Sequence, residues 1–132
     1  MNWKRLSDIH FRLLEEACDQ CSRAFAMLNN ITPHLTGMPG AHNHESMLDK
    51  NMDRYLRAQQ YRDTLLAERN ALIDEATPLV DSIPKERTRD IMTRYYLYGK
   101  TVCEITKALN CSRRSVEQHL RAGEKMVDNV IS

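Results

Sequence analysis

The stretch from Ile83 to Val127, IPKERTRDIMTRYYLYGKTVCEITKALNCSRRSVEQHLRAGEKMV, divides into three helical segments joined by short turns. Pro84 takes the first helical position, which tolerates a residue without an N–H. Ile91, Met92, Tyr95 and Tyr96 then fall on one face of that helix. Gly99 is expected to close it in the left-handed conformation that favours glycine. Thr101-Val102-Cys103-Glu104 has the capping-box form, a Thr N-cap with Glu three residues later. The helix it opens is short, with Val102, Ile105, Ala108 and Leu109 directed inward. Asn110 follows, a residue that tolerates the left-handed turn, and Ser112 is a good N-cap for the next helix. That helix has Val116, Leu120 and Met126 or Val127 as its buried face. The spacing Ile105, Leu109, Val116, Leu120 suits two helices crossing at a tight turn.

The outward face of the last helix then presents Arg113, Arg114, Glu117, Gln118 and Arg121. These side chains match the edges of a DNA major groove. Arg bonds both acceptors of guanine, Gln both adenine edge groups, and Glu accepts from cytosine. Ser112, Ser115 and the helix N-terminus suit phosphate oxygens. Lys100, Thr101, Lys107 and Lys125 add candidate backbone contacts. An ordinary solvated helix also carries Arg, Gln and Glu. The short capped helix, the tight turn and the basic helix start occur here together, and that conjunction favours a reader of double-stranded DNA.

On these residues the segment resembles the promoter-reading region 4 of bacterial sigma factors. The matching positions are Ile83-Pro84, Arg87, Ile91, Arg94-Tyr95, Gly99, Glu104-Ile105, Leu109, Ser112, Val116 and Leu120. Two positions depart from the pattern: Thr106 stands where a small Ala is usual, and Asn110 where the turn Gly is usual. The resemblance implies a helix-turn-helix whose second helix enters the major groove. The upstream part, with its Leu35-Thr36-Gly37-Met38-Pro39-Gly40 segment between long helices, is similar to small phage and prophage sigma-like regulators of late genes (the ArpU/RinA-like kind). Nothing in Met1 to Ser82 resembles the sigma region that binds the −10 element, so a complete sigma factor is not expected.

Upstream, Leu6, His10, Leu13, Ala17, Ala24, Leu28 and Ile31 trace one stripe, predicting a helix from about Trp3 to Asn30 that Thr32-Pro33 ends. TPHLTGMPGAHNHE, residues 32–45, reads as a loop. A second helix is expected from about Ser46 to Ala76, broken or kinked by Pro78. In it Leu65, Leu72 and Leu79, and beside them Leu66, Ile73 and Val80, recur every seven residues. The expected fold is therefore all-α: a long antiparallel helical hairpin over 1–82, serving oligomerisation or partner binding, then a helix-turn-helix domain over 83–132. The heptad rows favour a homodimer through the hairpin.

Net charge is only +1 over 132 residues. Pro84 to Ser132 nevertheless carries ten Lys/Arg against six Asp/Glu, a net of +4, on a body with nine against twelve. That asymmetry points to a polyanion partner for the C-terminal part. No apolar run approaches the ~20 residues of a membrane span, and the start lacks a signal-peptide core, so a soluble cytoplasmic protein with no membrane partner is expected. Cys18 and Cys21 form a CxxC, but inside a helical pattern rather than a turn, where small residues pack. His42 and His44 near Glu45 read as solvated loop residues. His10, His34 and His119 are scattered, and no nucleophile set or phosphate loop stands out. No enzyme, no metal and no cofactor are expected. The partners expected are double-stranded DNA and a second copy of the chain, with RNA polymerase as a further candidate. The competing readings are a small-terminase-like DNA-packaging subunit, and a module that docks on polymerase rather than DNA.

Overall fold

The computed structural model describes residues 1–31 and 41–131, with side chains described at 1–29 and 47–129. The described residues are helical with short connections, and none lies in a strand. The order is α1 (Trp3–Asp8), a π-helical turn (Ile9–Leu13), α2 (Leu14–Ile31), α3 (Ala41–Asp81), α4 (Glu86–Met92), a second π-helical turn (Thr93–Leu97), α5 (Val102–Leu109) and α6 (Arg113–Ile131). No helix among the described residues is long and apolar enough to cross a membrane.

The chain packs as two compact units, Met1–Arg12 with Glu68–Ser132, and Leu13–Ala67. These units cut the chain at different places from the 82/83 division read in the sequence. The reason lies in the core of the first unit. Trp3 and Leu6 of α1, Ala76 and Val80 of α3, and Ile83 are buried with Ile91, Met92, Tyr96, Ile105, Val116, Leu120 and Val127. Helices 4 to 6 are too short to enclose their apolar faces alone, so both ends of the upstream region complete the core. Arg5 adds a bidentate contact to Glu68, at 2.7 and 2.9 Å.

In the second unit, α2 and the first part of α3 form the antiparallel hairpin. Ala17, Cys21 and Ala24 are buried, as is Leu65, and the Phe25 and Tyr55 rings lie 5.7 Å apart. Cys18 and Cys21 are both free thiols on α2, the first exposed and the second buried.

Several boundaries differ from the sequence expectation. The first helix carries the π turn at Ile9–Leu13, which inserts one residue into the helical repeat. α3 begins at Ala41, so 41–45 are helical and not loop; 32–40 and the side chains of His34, His42 and His44 lie outside the described residues. Pro78 sits inside α3, which continues to Asp81. The helix survives because Ala76 and Val80 are fully buried on either side of it, and Ser82 N still donates to the Pro78 carbonyl at 3.2 Å. Pro84 is not the first residue of α4: Lys85 is the N-cap, in extended conformation, and the helix begins at Glu86. Ile83, 2% exposed, is pulled into the core there, and the chain bends at Pro84 before the extended Lys85.

Candidate nucleic-acid interface

α5 and α6 are joined by three residues whose conformation the local chemistry dictates. Thr101 Oγ1 accepts from Glu104 N at 3.2 Å, and the Glu104 carboxylate receives the Thr101 N–H in return. This capping box satisfies two of the orphan donors at the start of α5. Asn110 ends α5 in the left-handed region, φ 53° and ψ 49°. Its neighbour Cys111 N reaches back to the Thr106 carbonyl at 3.2 Å. Ser112 Oγ then accepts from Ser115 N at 3.1 Å, capping α6. Arg87 of α4 donates to the Leu109 carbonyl at 3.3 Å, covering an acceptor that α5 leaves open. Ile105, Val116 and Leu120 close the crossing from inside. Ala108, expected inward, is exposed.

On α6 the buried positions are Val116, Leu120, Gly123 and Val127. Directly opposite run Arg114, Gln118, Arg121 and Lys125, at intervals of four, three and four, all exposed. They form a stripe about 16 Å long, at 1.5 Å per residue. None of the three cations in it has an ion pair among the described residues. Arg113 and Glu117 occupy a flank instead. Arg113 Nε binds Glu117 Oε1 at 3.1 Å, and the two side chains are 80% and 43% exposed. Glu117 therefore meets Arg113 before it meets any base. Ser115 is half-buried on the other flank. Lys100 and Thr101 stand exposed at the start of α5, Lys100 within 3.9 Å of Glu104. Lys107 is exposed in the last turn of α5. Of the eleven residues expected to face DNA, Arg114, Gln118, Arg121 and Lys125 thus share one surface, and Lys107 lies apart from them on α5. Thr101, Ser112 and Ser115 also serve as caps or capped positions, and Lys100, Arg113 and Glu117 are engaged in ion pairs.

Residues 85–125 match the family model for sigma-70 region 4. The block from α4 to α6 is accordingly a sigma region-4-like helix-turn-helix, the kind of domain that binds DNA. The match spans 41 of 132 residues and leaves α1 to α3 outside it. No curated protein and no solved structure matches the chain.

The region-4-like domain is held from beneath by contacts that no local pattern announced. Thr88 of α4, fully buried, bonds through Oγ1 to His119 Nδ1 at 3.0 Å. Tyr96 donates its hydroxyl to the Glu124 carboxylate. Burial, and after it this bond to a carboxylate, pushes the Tyr96 phenol far above its ordinary range, so it stays protonated as a donor. Its ring lies 4.7 Å from that of Trp3. Gly123 lets α4 and α6 approach closely: a Cβ there would fall 2.7 Å from Met92 Cγ. At the other end, Gly99 adopts φ 69° and Lys100 N returns to the Arg94 carbonyl at 2.9 Å, a left-handed glycine closure one residue wider than a Schellman motif, following the π turn. That closure leaves the Tyr96 carbonyl without its helical donor, and His10 supplies one from Nε2 at 2.7 Å. A carbonyl only accepts, so the proton sits on Nε2. Burial, reinforced by the charge of Arg69, holds the His10 pKa below its ordinary 6.5, against the bond to Tyr96. Thr88 and Gly123 could be read in the sequence only as a small polar residue and a helix-weakening one, because their partners are 31 positions apart in the chain.

Proposed function

We propose that this protein is a sequence-specific regulator of transcription that reads duplex DNA with α6. The observation that carries the reading is the exposed stripe Arg114–Gln118–Arg121–Lys125, its cations without an ion pair among the described residues, opposite the buried face of a region-4-like helix. Arg114 and Gln118, near the start of α6, would meet base edges. Thr101, Ser112 and the first turns of α5 and α6 would meet phosphates, and Lys125 and Lys100 the backbone farther out. Arg113 would act from the flank, oriented by Glu117. The resemblance of the upstream sequence to sigma-like phage regulators of late genes favours a phage role, with RNA polymerase as a second partner. Dimerisation falls to the hairpin, where Phe25, Met52 and Leu56 remain 50%, 44% and 52% exposed.

Selection of bound duplexes from a random pool, followed by titration of the selected site, tests this. One enriched sequence, bound by the parent and bound at least tenfold more weakly by Arg114→Ala with Gln118→Ala, is expected, since each good base contact discriminates by about 1–3 kcal/mol. No enrichment, or a folded double variant that binds as the parent does, would overturn it.

A further inference from the structure

We propose that the N-terminal helical segment contributes a DNA-backbone contact of its own, through Arg12, beside the region-4-like domain. The inference rests on the duplex-binding reading and extends the interface to a residue outside the matched segment 85–125.

A shallow groove of about 510 Å³ runs between the π turn after α1 and the starts of α5 and α6, lined by Ser7, Asp8, Arg12, Thr101, Val102 and Arg113 among others. Thr101 is the N-cap of α5 and Arg113 the first residue of α6. The groove is thus continuous with the surface assigned to DNA, and a guanidinium stands on each side of it. Arg12 is free to act there. Its side chain is 61% exposed, and its ion pair with Asp8 is long, at 3.8 Å. An exposed pair of that kind holds little energy, so a phosphate displaces it readily. The groove is open along its length and its cations reach solvent, which suits the backbone of a passing polyanion better than a small enclosed anion.

The segment carrying Arg12 is anchored, so the contact needs little ordering on binding. Ser7 Oγ and Tyr95 Oη lie 3.2 Å apart, His10 bonds the Tyr96 carbonyl at 2.7 Å, and the Phe11 and Tyr95 rings lie 4.8 Å apart. Trp3 and Leu6 are buried in the same core as α5 and α6. Asp8 stands in the same groove and opposes the phosphate, which gives the proposal a second variant of opposite sign.

The experiment titrates the full chain with its selected duplex over a range of salt concentrations. It compares the parent with Arg12→Gln, Arg12→Lys and Asp8→Asn, with Arg114→Ala as reference. Loss of one phosphate contact lowers the slope of log affinity against log salt by about 0.9, so the gap between parent and Arg12→Gln narrows about 3.5-fold for a fourfold rise in salt. Arg12→Lys keeps the parent slope, and Asp8→Asn binds more tightly than the parent at low salt. Thermal melts separate binding from folding, and Asp8→Asn reports on the same groove if Arg12→Gln is unstable. If the parent binds with strong salt dependence and Arg114→Ala weakens it, but Arg12→Gln and Asp8→Asn follow the parent, this inference fails and the duplex-binding reading stands. If the parent retains no duplex at low salt, the reading itself fails and the inference with it.

Discussion

Gly123→Ala is the sharpest test of how α6 is seated. In an ordinary helix the change would stabilise, because Ala is favoured over Gly by about 1 kcal/mol. Here the new Cβ would lie 2.7 Å from Met92 Cγ, 2.9 Å from Met92 Sδ and 3.1 Å from Thr88 Cγ2. Met92 and Thr88 are fully buried, so neither can swing into solvent, and Thr88 is also tied to His119. Overpacking of this kind costs about 1–3 kcal/mol. Packing outweighs propensity, and a net loss of about 1 kcal/mol is expected. The unit holding Gly123 has 77 residues, for which 1 kcal/mol lowers the melting temperature by about 4–8 °C. Thermal and urea unfolding followed by circular dichroism would read it. The pair Gly123→Ala with Met92→Ala adds a second arm. Removing the Met side chain alone opens a cavity, and the Ala methyl then enters vacated space, so the double variant should be more stable than the sum of the single losses by about 1 kcal/mol. A Gly123→Ala protein that melts at or above the parent, with losses that simply add, would refute the close crossing of α4 and α6.

Glu117→Ala should release Arg113 from its 3.1 Å partner and remove a carboxylate from the flank of the face turned to DNA. Binding to random duplex should tighten by about fivefold or less, the range of one exposed ion pair, while preference for the selected site falls; unchanged discrimination would show that Glu117 neither orients Arg113 nor screens sequences. The lowered His10 pKa makes stability depend on acidity in a set direction. As pH falls through about 6.5 the unfolded chain takes up the proton first, so stability is complete above that value, declines toward the folded pKa, and declines no further below it. Urea midpoints at about pH 7 and pH 5 should differ more for the parent than for His10→Gln, and an equal difference would refute a buried neutral imidazole at this position.

Much of the domain was legible because its signals are local. A capping box, a left-handed Asn, a Ser N-cap and Gly99 are each decided by the residues on either side, and the structure places every one of them as expected. The stripe Arg114–Gln118–Arg121–Lys125 follows from helical periodicity alone once Val116 and Leu120 point inward. The boundaries that went astray were also local readings, overruled from a distance. Pro78 predicts a break, but burial of Ala76 and Val80 carries α3 past it to Asp81. Pro84 predicts the first turn of a helix, but with Ile83 buried in the core the helix does not begin until Glu86.

The sequence by itself determined the three C-terminal helices, their turns and the chemistry of the exposed face, since those depend on neighbours within four positions. Only the tertiary structure decided that Met1–Arg12 and the end of α3 belong to the same unit as those helices. It also decided that His10 serves the Tyr96 carbonyl, that Gly123 sets the approach of α4, and that Arg12 and Arg113 border one groove. The physical reason is that three short amphipathic helices leave apolar surface uncovered. What covers it comes from far along the chain, and burial is blind to the sequence distance between the groups it brings together.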